Sequence, residues 1–159
     1  MRIRPLAHED RASVHSMLLA TQVFTFEEIA VAMELIDIVL KDPGQKDYRV
    51  DCMVDDEDRP VGYICYGPMP MTQGAFDLYW IAVDPRFQGQ KIGFRLLDFL
   101  EEIVRGAGGR MILVDTSSIT QYEKTQKFYY RKGFEEVARV ADYYRPGNDR
   151  ITFCKKLGG

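Results

Sequence analysis

Cysteine, histidine and tryptophan are scarce in this chain: its 159 residues include three, two and one of them. Cys52, Cys65 and Cys154 stand far apart in sequence, so they fit neither a disulfide framework nor a zinc cluster. His8 and His15 alone cannot furnish a histidine-rich centre, and no metal site is expected. No apolar run approaches the ~20 residues needed to cross a membrane, so no membrane role is expected. The opening MRIRPLAHED turns acidic where a secretory signal turns apolar, which predicts a cytoplasmic chain. There is no basic excess either, with 21 Lys+Arg against 24 Asp+Glu and a net charge of −3. A duplex nucleic-acid binder is usually basic, so that partner is not expected.

What is present is a gradient and a change of period. Residues 1–80 carry 7 basic and 14 acidic side chains, and residues 81–159 carry 14 and 10. Such asymmetry can mean that each half faces a different partner, though surface variation alone also produces it. Residues 2–5 read as a short strand and His8 to Leu19 as a helix. Phe26, Ile29, Met33, Ile36 and Leu40 recur at helical spacing and predict a second helix, stopped before Pro43-Gly44.

Tyr48–Val54 and Pro60–Tyr66 then flank the acidic turn 55–58 as a hairpin, and Phe76–Val83 forms a third strand that Pro85 stops. Lys91–Arg105 is an amphipathic helix ended by glycines. Met111–Val114 is a buried strand. Thr120, with Glu123 three residues later, has capping-box form and opens a helix to Lys132, with Gly133 at its C-cap. Val137–Tyr144 and Arg150–Lys156 make a last hairpin across residues 146–149. The order β-α-α-β-β-β-α-β-α-β-β predicts a mixed α/β (α+β) fold around one central sheet, within a single domain spanning 1–159.

The most informative stretch runs from Ile81 to Gly93. A strand stops at proline, and a short loop feeds an amphipathic helix. The helix's first N–H groups lack internal acceptors and carry partial positive charge, so Gln88-Gly89-Gln90-Lys91-Ile92-Gly93 can cradle phosphate. An ordinary strand–helix connection is the plain alternative. Neither G-x-G-x-x-G nor G-x-x-x-x-G-K-[ST] is present.

Here the chain resembles the GNAT superfamily of acyl-CoA-dependent N-acyltransferases, whose hallmark is Q/R-x-x-G-x-G/A after a strand ending in V-x-P. Gln88 and Gly93 match after Val83-Asp84-Pro85, and Lys91 stands where the family has glycine. Ile3-Arg4-Pro5-Leu6, Pro60-Val61-Gly62-Tyr63 and Phe128-Tyr129-Tyr130-Arg131-Lys132-Gly133-Phe134 resemble further family elements, in order along the chain. Tyr122 and Thr125 depart from the family's Asn and Ala.

The resemblance implies a predominantly antiparallel central sheet flanked by helices. It also implies transfer of acetyl from acetyl-CoA, as co-substrate, to a primary amine: a small amine, an amino acid or a protein N-terminus. Tyr129 is then the acid that protonates the thiolate, the alternative being a core aromatic. Tyr122, Gln126 and Tyr129 share a helix face, while Tyr130 points about 100° away. Asp77 becomes the base, acting through water, with a solvated inert carboxylate as its alternative and Asp115 as its rival.

The resemblance further implies that backbone of Ile81, Ala82 and Val83 meets pantetheine and oxyanion. Lys124, Lys127 and Arg131 form a basic stripe that is a solvated face or a 3′-phosphate contact. The acceptor walls would be Phe24–Leu40, with Glu27, Glu28, Glu34 and Asp37, and Tyr143-Tyr144-Arg145-Pro146-Gly147. A silent acyl-CoA-binding module and an unrelated nucleotide-binding domain are the rival readings. Monomer and homodimer both stay open.

Overall fold

The computed structural model describes residues 1–158. The order predicted above is the order found. Strand β1 (Arg2–Pro5) is followed by helices α1 (Arg11–Thr21) and α2 (Phe26–Lys41). Then come β2 (Arg49–Val54), β3 (Pro60–Pro68), β4 (Ala75–Val83), α3 (Ile92–Gly106), β5 (Met111–Ser117), α4 (Glu123–Arg131), β6 (Glu135–Arg145) and β7 (Asn148–Lys156). The strands form a seven-stranded sheet in the order β1-β2-β3-β4-β5-β7-β6. Its pairs are mainly antiparallel, with β4 and β5 parallel.

Two compact units share this sheet, one of Met1–Pro68 with Leu78–Phe99, the other of Met69–Asp77 with Leu100 onward. In the first, α1 and α2 bury Val14, Met17, Leu18, Ile29, Met33 and Ile36 against Val50, Cys52, Val54, Tyr63 and Cys65. All three cysteines are buried free thiols. Successive strand residues face opposite sides, so Gly62, between Val61 and Tyr63, looks away from α1 and α2. It looks at α3. A Cβ at Gly62 would sit 2.9 Å from Ile92 Cγ2 and 3.3 Å from both Leu96 Cδ1 and the Ala82 carbonyl. Only glycine admits the helix that closely.

In the second unit β5 pairs with β7 and β7 with β6. Lys155 of β7 is tied to Glu101 of α3 by an ion pair. The register of β6 on β7 jumps from Val140↔Arg150 to Arg145↔Asn148, leaving three extra residues on β6. Asp142 lies within them at φ +56°. Every residue of β6 is exposed.

Several boundaries shift for local reasons. His8–Asp10 is a 3-10 turn, and α1 starts only at Arg11, because Asp10 accepts the Ala7 N–H (2.8 Å) and pairs with Arg4 (2.7 Å). The expected capping box at Thr120 does not form. Thr120–Tyr122 is a separate 3-10 turn capped by Ile119 without a side-chain bond. The Ile119 N–H instead donates to Ser117 Oγ at 3.3 Å, and the Ser117 hydroxyl donates to Asn148. That tie fixes the entry to α4 and moves Thr120 off the cap position. At the other end Gly133, at φ +86°, does terminate the helix.

The packing at Gly62 yields a stability test. Gly62→Ala should cost about 1–3 kcal/mol by forcing Ile92 off its seat. It should appear as a lower urea midpoint with an unchanged slope.

Candidate active site

The candidate site residues divide between the two units, and each set is described where it folds. In the first, Ile81, Ala82 and Val83 end β4, with Ala82 buried in the core and its neighbours half-buried. Asp84 turns the chain. Its N–H donates to the Val61 carbonyl at 2.9 Å, anchoring the loop to β3, and its carboxylate accepts the Arg86 N–H at 2.9 Å. Arg86 closes the pair with a 2.7 Å salt bridge, which holds Asp84 below the usual carboxylate range.

The next four residues, Gln88 to Lys91, are all exposed. Gly89 has φ +85°, and a Cβ built on it would meet nothing within 4 Å. The Lys91 carbonyl accepts the Arg95 N–H at 3.0 Å, so Lys91 is the N-cap of α3. Its φ is +59°. This is the left-handed region, where an L side chain costs roughly 1–2 kcal/mol. Backbone geometry therefore favours glycine at this position, and Lys91 occupies it with strain. In return a cationic residue stands at the positive end of a helix, where the first N–H groups lack intrahelical acceptors.

Ile92 is different. Its side chain is buried core, so only its backbone can face a ligand. An exposed turn, a glycine with open space above it, outward amides and a lysine together suit a polyanion such as a pyrophosphate. Beside the loop, a cleft of about 530 Å³ opens between α1 and the 55–60 turn. Its two arginines are already bound, Arg59 to Asp55 and Glu57 and Arg86 to Asp84.

In the second unit the parallel register is three residues long and ends at Asp77↔Leu113. Asp77 is half-buried. Its carboxyl is pushed up to about 6, first by burial and then by the charge of Asp115. The structure thus brings the two candidate bases together. Asp115 is exposed, and its Oδ1 accepts the Thr152 hydroxyl at 2.6 Å.

Tyr129 is 3% exposed and packed by the rings of Phe128, Phe134 and Phe153 at 5.3, 5.4 and 5.9 Å. Burial pushes its phenol well above the ordinary value, so it keeps its proton at neutral pH. Tyr130 is 54% exposed, in line with its expected direction. Lys124, Lys127 and Arg131 lie on a solvated face. In the first unit, the Asp37 carboxylate of α2 is bound by Arg11 at 2.7 Å. Sequence reasoning missed Thr152 and Arg150, because no spacing marks a hydroxyl on a carboxylate or a cation without one.

The sequence of residues 49–136 matches the family model described as an acetyltransferase (GNAT) domain. The chain belongs to the GNAT family of acetyltransferases. A protein from Desulfovibrio desulfuricans assigned to this family shares 36% identity over 99% of both chains, with a TM-score of 0.90. Two further GNAT-fold structures share the fold at lower identity. The aminoglycoside 6′-N-acetyltransferase from Enterococcus faecium has 18% identity and a TM-score of 0.74, over 100% of this chain and 98% of its own. The ribosomal-protein-S18-alanine N-acetyltransferase from Escherichia coli has 17% identity and 0.76, over 99% and 96%. No curated protein sequence is significantly similar to the chain.

The GNAT turn carries its own stability test. Lys91→Gly should raise stability by about 1 kcal/mol by relieving the left-handed backbone. Lys91→Ala keeps the strain and should melt near the wild-type temperature. Thermal unfolding without ligand separates the two.

Proposed function

We propose that this acetyl-CoA-dependent enzyme is a single N-acetyltransferase domain that moves acetyl to a primary amine by direct attack in a ternary complex. One observation carries the reading: Asp77 is a half-buried carboxylate titrating near 6 beside Asp115. A base poised there is ionised at neutral pH and still basic enough to accept a proton. The names of two structural neighbours also denote N-acetylation, of an aminoglycoside and of an alanine in a ribosomal protein.

Acetyl-CoA supplies the activated thioester. The exposed turn at Gln88, Gly89, Gln90 and Lys91, with backbone of Ile92 and Gly93, holds its pyrophosphate. Backbone of Ile81, Ala82 and Val83, beyond the parallel register, takes the pantetheine arm and the oxyanion. Asp77 removes a proton from the acceptor ammonium through a water. The amine nitrogen then bonds to the thioester carbonyl carbon, the carbon–sulfur bond breaks, Tyr129 gives its proton to the departing thiolate, and the second amine proton passes through solvent to restore the phenol. The Tyr129 phenol is suited to this because burial keeps it protonated.

Two variants test the roles. Tyr129→Phe should lower turnover by about 100-fold with acetyl-CoA affinity unchanged, in a thiol-release assay with chemistry rate-limiting. Full turnover in that variant would remove Tyr129 from the mechanism.

Asp77 must be ionised to act, so kcat/KM should climb as pH rises through about 6 and then level. Asp77→Asn should abolish that acid limb. Stability runs the other way. The carboxyl titrates at about 6 in the fold against an ordinary 3.8, so the fold holds the proton more tightly. Its contribution is present at low pH and lost as pH climbs through that window. Asp77→Asn should therefore be the more stable protein at pH 7. An unchanged pH–rate profile would exclude Asp77 as the base.

A further inference from the structure

Residues directly opposed in a sheet share a face, and so do residues two apart on one strand. The register opposes Asp77 to Leu113, Asp115 to Thr152 and Ser117 to Arg150. Leu113, Asp115 and Ser117 alternate along β5. Asp77, Asp115, Thr152 and Arg150 therefore stand on one face of the second unit, and the Thr152–Asp115 hydrogen bond agrees. Arg150 is one diagonal step from Asp115, a Cβ separation of about 7 Å.

Arg150 is held in place yet, among the described residues, has no anionic partner. Its guanidinium lies 4.4 Å over the centre of the Tyr143 ring, and its Nε is buried without a hydrogen-bond partner. Leaving such a donor unmet is costly. Its sequence neighbour Asp149 does not serve it. The Asp149 carboxylate takes Arg139 at 3.1 Å and the Asp142 N–H at 2.9 Å. Among the described residues no carboxylate comes within ion-pair distance of Arg150.

The face thus offers two carboxylates at one place and a pre-oriented, unpaired guanidinium one step away. We infer that the acceptor carries a carboxylate as well as its primary amine, an amino-acid-like zwitterion whose acid is bound by Arg150. The ammonium goes to Asp77 and Asp115, and the carboxylate pairs with the guanidinium of Arg150. The Tyr143 ring lies against the guanidinium and so restricts where the fork can turn. This inference rests on the acetyltransferase reading for the identity of the amine as the reacting group, and on the register and the unpaired Arg150 guanidinium for the carboxylate.

The test pairs each acid with the amine that lacks it: leucine with isopentylamine, β-alanine with ethylamine, γ-aminobutyrate with propylamine, and leucinamide as the neutral form. The whole chain is assayed with acetyl-CoA for thiol release, and the same compounds are titrated calorimetrically onto the CoA-loaded protein. At least one acid should exceed its amine about 10–100-fold in kcat/KM, the range of one charge-assisted fork. Arg150→Met should erase that preference through KM, lowering kcat/KM for the acid far more than for its amine. Arg150→Lys, which keeps the charge and loses the fork, should retain part of it.

Equal use of acid and amine, or better use of leucinamide or of a peptide N-terminus, overturns the inference and leaves the enzyme reading standing. Equal losses for acid and amine in Arg150→Met also overturn it, since they mark a structural residue. Carboxylate-dependent binding that Arg150→Met abolishes, without turnover of any compound, upholds the inference and overturns the enzyme reading. Absence of both binding and turnover for every acid overturns the inference.

Discussion

The close approach of α3 to β3 at Gly62 is the constraint on which the turn from β4 into α3 depends. Ile92, the first residue of α3, is seated in the space that a side chain at Gly62 would fill. Lys91, the residue before it, must then turn through the left-handed region to bring the chain in from the loop. The outward amides at the helix start follow from these two facts. Asp84 pins the other end of the same loop to Val61, the neighbour of Gly62. Two adjacent residues of one strand thereby hold both ends of a turn whose middle is left open to solvent.

The chemical centre rests on a different balance. Asp77 is desolvated enough to lose part of its acidity and has a second carboxylate close by that lowers it further. Both effects oppose its charge, and among the described residues no cation is bound to it. A structural carboxylate in this protein looks otherwise: Asp10, Asp37 and Asp84 each carry an arginine. The contrast sets Asp77, half-buried beside another carboxylate, apart from carboxylates held in ion pairs. Tyr129 shows the same separation among aromatics, because the fold buries it and leaves the adjacent Tyr130 half in water.

The element order and the loop chemistry were legible because they rest on local signals: hydrophobic period, Pro85 after Val83, and glycine at the end of α4. The capping signal at Thr120 misled because Ser117, bonded to Asn148 from a distant strand, decides where α4 begins. Lys91 could be seen to replace glycine, yet the reason lies in a backbone angle that no spacing encodes. Asp77 and Asp115 could each be singled out as bases. Their mutual charge appears only when β4 and β5 are set side by side in parallel register. The solitary state of Arg150 is a three-dimensional fact, since its nearest sequence neighbour is an aspartate.

Strand β6 ends the sheet with eleven residues exposed along their whole length. A straight strand of that length, bearing Val137, Val140 and two tyrosines, would be an open template for the edge of another chain. The three extra residues after Val140 break the ladder and turn the strand out of line. What remains straight is a short stretch carrying Glu135, Glu136 and Arg139. The same distortion that brings Tyr143 against Arg150 therefore also interrupts the edge that another strand would have to pair with.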